Sequence, residues 1–193
     1  MAAKAGVDPV EFRLKNLDNP RMARIIRGAA EAFGWKPAPA PSGRGWGFAC
    51  ADYLGTYIAA AAEVNVDRAT GAVRVERIVC SQDSGVAVNP EGARLQIESC
   101  LTMGLGYTLS EEVRFKGRRI LDVNFDTYEI PRFSGLPKIE AVLLDSPELA
   151  PSGVGEPAII LTGGLIANAV FDATGGRLLQ LPMTPARVKK ALP

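Results

Sequence analysis

The residues best equipped for chemistry stand in one short run, Pro151-Ser152-Gly153-Val154-Gly155-Glu156-Pro157. A carboxylate directly before a helix-starting proline lies where free amides and the helix dipole can hold it. The two glycines ahead of it let another group approach the backbone closely. As a structural group Glu156 would cap a helix or balance its dipole, typically worth ~0.3–1 kcal/mol. As a functional group it would be a general base at the mouth of a pocket. Residue types alone leave both open. Gln96 is the second candidate, followed along the same helix by Gly104-Leu105-Gly106. Each interior glycine costs ~1 kcal/mol relative to alanine, so something must pack closely there, either a second helix or a bulky planar group. The glycine pair is not a dinucleotide fingerprint, because no strand leads into it and a third glycine is absent. Ser84-Gly85, after a strand, has the composition of a phosphate-cradling turn and equally of an ordinary one.

Other chemistries are excluded by what the chain lacks. It contains no histidine, which removes the usual nucleophilic triad. Cys50, Cys80 and Cys100 are widely spaced, whereas structural zinc and iron–sulfur sites normally take four Cys or His ligands. Buried free thiols are the expectation, with no metal ligand among the site residues. The 22 basic and 21 acidic residues give a net charge of +1 and form no single-sign block, which argues against nucleic acid and membrane surface as partners. No apolar run is expected to reach the ~20 residues of a spanning helix, and residues 1–7 lack the layout of a signal peptide. The expected location is cytoplasmic. At 193 residues and 47% hydrophobic, the chain has enough apolar content for a core.

The elements that must position these groups can be read from caps and periodicity. Asp8-Pro9-Val10-Glu11 predicts a short helix over 9–17, and Asn19-Pro20 a second. In the second, Met22, Ile25, Ile26, Ala29, Ala30 and Phe33 make one apolar stripe ending at Gly34. The proline-rich run 37–44 reads as a connector between a helical segment, 1–36, and the remainder, 45–193. Beyond it, 57–66 and 72–81 flank an Asp67-to-Gly71 turn and predict a hairpin. Asn89-Pro90-Glu91 opens a long helix to Leu109 that carries Gln96. Strands are expected over 123–130 and 138–144, then a loop over 146–155, a long helix starting at Pro157, and a short last helix capped by Thr184. This irregular alternation indicates an α+β fold with a mixed or antiparallel sheet and packed helices.

Together these segments resemble the large subunits of xanthine dehydrogenase/aldehyde oxidase-type molybdenum hydroxylases, specifically the C-terminal portion in the isoquinoline 1-oxidoreductase β-subunit group. The resemblance rests on Gly6-Val7-Asp8-Pro9-Val10-Glu11-Phe12-Arg13, Gly43-Arg44-Gly45-Trp46-Gly47, Val64-Asn65-Val66-Asp67 and Asp83-Ser84-Gly85. It continues through Gln96-Ile97-Glu98, Gly104-Leu105-Gly106, Gly153-Val154-Gly155-Glu156-Pro157, Ala167-Asn168-Ala169-Val170 and Ala173-Thr174-Gly175. Order and spacing carry it more than any single motif.

The resemblance implies a molybdopterin-binding-like domain over 45–193. It implies that Glu156 matches the family's general base, which takes a proton from a molybdenum-bound hydroxide as this attacks an electron-poor carbon, while hydride passes to a sulfido ligand. Gln96 matches the glutamine that contacts the pterin, and Gly153, Val154 and Gly155 match the rest of the cofactor-facing motif. The implied cofactor is the molybdenum cofactor molybdopterin, its cytosine dinucleotide form included, bound only together with an upstream segment. No iron–sulfur cluster or haem is implied on this chain. The implied partners are the upstream part of the large subunit and a small iron–sulfur subunit, with homo-oligomers also expected. The implied reaction is hydroxylation of N-heteroaromatic or aldehyde substrates, with the isolated chain inactive. A different class of function remains alongside it: a stand-alone structural or interaction domain that kept the fold and lost the cofactor.

Overall fold

In the computed structural model, which describes residues 1–36 and 42–193, helices begin where the sequence places capping side chains. After a single turn, α1 (Ala2–Ala5), Asp8 accepts from the amides of Val10 and Glu11 to open α2 (Pro9–Lys15). Asn19 accepts from the Met22 amide to open α3 (Pro20–Phe33), which ends at Gly34 in the left-handed conformation. The expected stripe is its buried face, with Met22, Ile25, Ile26, Ala29 and Phe33 inside. The connector expected over 37–44 lies outside the described residues from 37 to 41, and Arg44 already belongs to the first strand.

Strands β1 (Arg44–Tyr53), β2 (Thr56–Val66) and β3 (Val73–Asp83) form an antiparallel meander. The hairpin turn keeps Asp67 as its organiser, accepting from the Ala69 and Thr70 amides. There follow α4 (Pro90–Leu109), a small hairpin of β4 (Phe115–Lys116) and β5 (Arg119–Ile120), and β6 (Lys138–Leu143). The last of these returns to pair in parallel with β3, giving the order β1-β2-β3-β6. The sheet is therefore mixed, in an α+β arrangement as expected.

The sheet is covered on both sides. Along β2 the run Ala59-Ala60-Ala61-Ala62 alternates between two cores. Ala59 and Ala61 pack with Phe48 and Val79 under α3. Ala60 and Ala62 pack with Ile78 and Cys80 under α4 and α5 (Thr162–Thr174). Small side chains on a strand buried from both sides let the helices sit close. On β1 the approach to α5 is closer still, because a Cβ on Gly47 would run into the Leu165 carbonyl and the Ala169 amide. The chain ends in α6 (Pro185–Ala191), capped by Thr184.

Three expectations change. Residues 123–130 form turns rather than a strand: the Asn124 side chain accepts from the Phe125 amide and its carbonyl from the Thr127 and Tyr128 amides. Local asparagine chemistry wins there because Val123 and Phe125, 80% and 69% exposed, have no core to face. The long helix does not start at Pro157. Residues Pro157–Ile159 form a single 3-10 turn, and α5 begins at Thr162. The hydroxyls of Thr162 and Tyr107 donate to the carbonyls of Ala158 and Ile159, acceptors that a continuous helix would give to its own amides. Finally, Pro157–Thr174 is long and apolar enough in composition to cross a membrane, contrary to the expectation that no run would be; here 56% of it is buried in the fold.

Candidate functional site

One face of α4 sets the geometry. Asn89 accepts from the Gly92 amide at 2.9 Å and fixes the start of the helix, so that positions 96, 100, 104 and 107 come up on one side. All four meet the segment 155–162. The Gln96 side-chain oxygen lies 4.0 Å from where a Cβ on Gly155 would stand. The Cys100 thiol donates to the Gly155 carbonyl at 3.0 Å. Gly104 packs on Thr162, and Tyr107 donates to the Ile159 carbonyl at 2.5 Å. Gly104 is thus glycine for helix packing; a Cβ there would lie 2.5 Å from the Thr162 hydroxyl. The Gly106 side is filled by Glu111 and Pro131, so neither glycine of that pair faces a ligand.

The loop carrying the carboxylate is held from behind. Ser152 donates through its amide to the Ser84 carbonyl at 2.7 Å and through its hydroxyl at 3.1 Å. Thr56, fully buried, donates to the Gly153 carbonyl at 2.7 Å. A Cβ on Gly85, where φ is 73°, would run into the Ala150 carbonyl, so the Ser84-Gly85 turn grips the chain's own loop rather than a phosphate. Beside the loop is a groove of about 240 Å³ lined by Val86, Val88, Ala93, Ser152 and Val154 among others.

On the open side of this loop stand the candidate residues. Glu156 is exposed at the head of the 3-10 turn and makes no capping hydrogen bond. Among the described residues neither its carboxylate nor the Gln96 amide has a hydrogen-bond partner. The cap that would have made Glu156 structural is therefore not formed. Gly153 and Gly155 adopt no left-handed conformation, and a Cβ on Gly153 would meet nothing within 4 Å. Neither glycine is required by the chain's own packing. Bare backbone, an amide side chain and a carboxylate all facing outward suit a polar, heteroatom-rich group laid against the loop. Among the described residues no three cysteine, aspartate or glutamate side chains gather as a metal-ligand set.

The structure thus brings together all five expected residues, Gln96, Gly153, Val154, Gly155 and Glu156. What residue types did not reveal was the support: Thr56, Ser84, Ser152 and Cys100. Ser84 and Ser152 stood out only as parts of a turn and of the glycine-containing run, and Cys100 only by its place four residues after Gln96, one turn along the same helix face.

Comparison with known proteins identifies the family of the chain. Residues 20–137 match the molybdopterin cofactor-binding domain, a span that includes Gln96. The chain is similar to a nicotinate dehydrogenase chain of Pseudomonas putida, 39% identical over 208 aligned residues that take in all of this chain and 18% of that protein. It is 33% identical to the β-subunit of isoquinoline 1-oxidoreductase of Brevundimonas diminuta, covering 96% of this chain and 24% of that one. Among solved structures, quinoline 2-oxidoreductase from Pseudomonas putida 86 superposes with a TM-score of 0.66 at 28% identity, over 70% of this chain and 18% of that one. The chain spans about a fifth to a quarter of the length of the curated relatives it matches.

Proposed function

Because this chain belongs to the molybdopterin cofactor-binding domain family, we propose that it forms one side of a molybdenum-cofactor site in a larger oxidoreductase, with Glu156 as general base and Gln96 as a cofactor contact. The observation that carries the reading is the loop Gly153-Val154-Gly155-Glu156, open on its ligand side, braced from behind, and bearing a carboxylate with no structural partner of its own among the described residues. When bound, the cofactor supplies two-electron redox chemistry at a water-derived oxygen. Glu156 needs only hydrogen-bond reach to the reacting proton, and a base so placed contributes ~10²–10⁴-fold. Gln96 offers an amide that both donates and accepts, and the bare backbone at Gly153 and Gly155 allows close approach. Upstream sequence of the same large subunit supplies the rest of the site, a small iron–sulfur subunit takes the electrons, and the cytosine dinucleotide form of the cofactor is included in the proposal. The substrate class is N-heteroaromatic or aldehyde. The names of the nicotinate, isoquinoline and quinoline enzymes it resembles lean toward the former.

The test is a pair of variants in a complex reconstituted with the upstream segment. Glu156→Gln keeps shape but cannot take the proton, so turnover is expected to fall by at least ~10²-fold with molybdenum content nearly unchanged. Gln96→Ala is expected to lower cofactor retention more than activity per bound molybdenum. Normal turnover in Glu156→Gln would remove the base. A complex that never takes up molybdenum would instead favour an interaction domain.

A further inference from the structure

Cys100 has no role in the chemistry described so far, yet among the described residues it makes the one side-chain hydrogen bond that joins α4 to the peptide immediately before Glu156. Its thiol is 1% exposed and donates to the Gly155 carbonyl at 3.0 Å. The carbonyl belongs to the peptide unit whose nitrogen is that of Glu156, so orienting it orients the first rotatable bond of the glutamate. On the other side of the loop, Thr56 holds the Gly153 carbonyl at 2.7 Å. Between these two anchors lie only Val154 and Gly155, and the flanking glycines carry no side chain that could brace the loop by packing.

We propose that Cys100 is a positioning residue for Glu156: the thiol, projecting one helical turn beyond Gln96, clamps the Gly155 carbonyl and fixes where the carboxylate points. The inference rests on Glu156 being the base. The donor persists at neutral pH, because burial pushes the Cys100 thiol up and outweighs the Ile159 and Ala158 backbone groups that pull it down, with the Glu156 charge adding a smaller push upward. The clamp also ties the loop to α4, so that Gln96 and Glu156 move as one unit rather than as two independent groups. Cys80, equally buried in the same core, has its thiol directed to the Ser81 carbonyl rather than to the loop and supplies the internal control.

Hydrogen–deuterium exchange on the 193-residue chain tests this directly. Cys100→Val keeps bulk and removes the donor, Cys100→Ser keeps a donor, and Cys80→Ala removes a neighbouring buried thiol that is bonded to the Ser81 carbonyl instead of the loop. In Cys100→Val, peptides covering 152–160 should exchange roughly fivefold faster, the change expected for losing one modest hydrogen bond, while the sheet stays protected. Cys100→Ser should return them to the parent rate, and Cys80→Ala should leave the loop no faster than the rest of the molecule. The proposal is overturned if Cys100→Val shows no selective change, if Cys100→Ser exchanges as fast as Cys100→Val, or if Cys80→Ala loosens the loop as much. Loss of the base assignment would appear in the turnover of Glu156→Gln and leave these exchange rates as they are.

Discussion

Asp83 shows how much one side chain on this scaffold carries. Burial alone would raise its carboxyl. Two hydrogen bonds from Arg21 at 2.8 Å, the Gly85 amide at 3.0 Å and the Ser146 hydroxyl at 2.7 Å outweigh burial and hold the group at about 2. Because this lies below the ordinary unfolded value of ~3.9, the stabilisation is fully present above about pH 4 and drains away as pH falls toward 2, a loss of about 2 kcal/mol. Denaturant unfolding followed from neutral pH downward should show that decline, and Asp83→Asn should flatten it. At neutral pH the same substitution should cost about 2–4 kcal/mol, since it strands the Arg21 guanidinium. A variant that kept the parent's acid sensitivity would refute the assignment. The Asp83-Ser84-Gly85 motif stands out in the sequence, but Arg21 lies 62 positions away and nothing in residue type pairs the two before the fold is known. Glu156 is the opposite case. Its position, next to two glycines and before a proline, is legible at once, while the absence of its cap emerges only from the fold.

At the scale of elements, caps proved readable and competition between local and tertiary forces did not. Asp8, Asn19, Asn89 and Thr184 each start the helix their type predicts, because a cap needs only the next three residues. Residues 123–130 alternate like a strand but pair with no strand, and Pro157 signals a helix that is interrupted by the Tyr107 hydroxyl from α4 and by the hydroxyl of Thr162, the first residue of α5. The glycines of α4 and α5 give a matched experiment on this point. In an isolated helix either Gly→Ala change would gain ~1 kcal/mol. On α4, however, a Cβ at Gly104 lies 2.5 Å from the buried Thr162 hydroxyl, whereas at Gly164 of α5 nothing lies within 4 Å. Gly104→Ala should therefore destabilise by about 1–3 kcal/mol and Gly164→Ala should be neutral or mildly stabilising. Urea midpoints at unchanged slope distinguish these outcomes. Equal effects at both sites would mean that the α4–α5 contact is not tight, and the placement of Gln96 against the loop would loosen with it.

The molecule as a whole has a packed half and an unfinished one. Both sheet faces are covered, but the excursion between α4 and β6 leaves Phe133 95%, Val123 80%, Phe115 72% and Phe125 69% exposed. Its internal ties are local: Arg114 to Asp122 at 2.5 Å, and the Tyr128 hydroxyl to Glu111 at 2.7 Å. Such a concentration of large apolar side chains outside a core marks a surface that water covers at a cost. Residue types could not announce this, because a phenylalanine reads as core until the fold shows that no core reaches it. The curated relatives that match this chain are several times longer, which is consistent with other segments lying over this surface in them. Alone, the chain has only copies of itself to cover it with. Sedimentation velocity over a wide range of concentration should therefore show reversible self-association, with helical and β circular dichroism retained throughout. The doubly substituted Phe115→Asp, Phe133→Asp chain should stay monomeric at concentrations where the parent associates. Neither residue is buried, so the substitutions should leave the unfolding free energy within about 0.5 kcal/mol of the parent. A parent chain that remains strictly monomeric would show that the arm folds back onto its own surface in solution, and an unchanged association in the double variant would move the contact elsewhere.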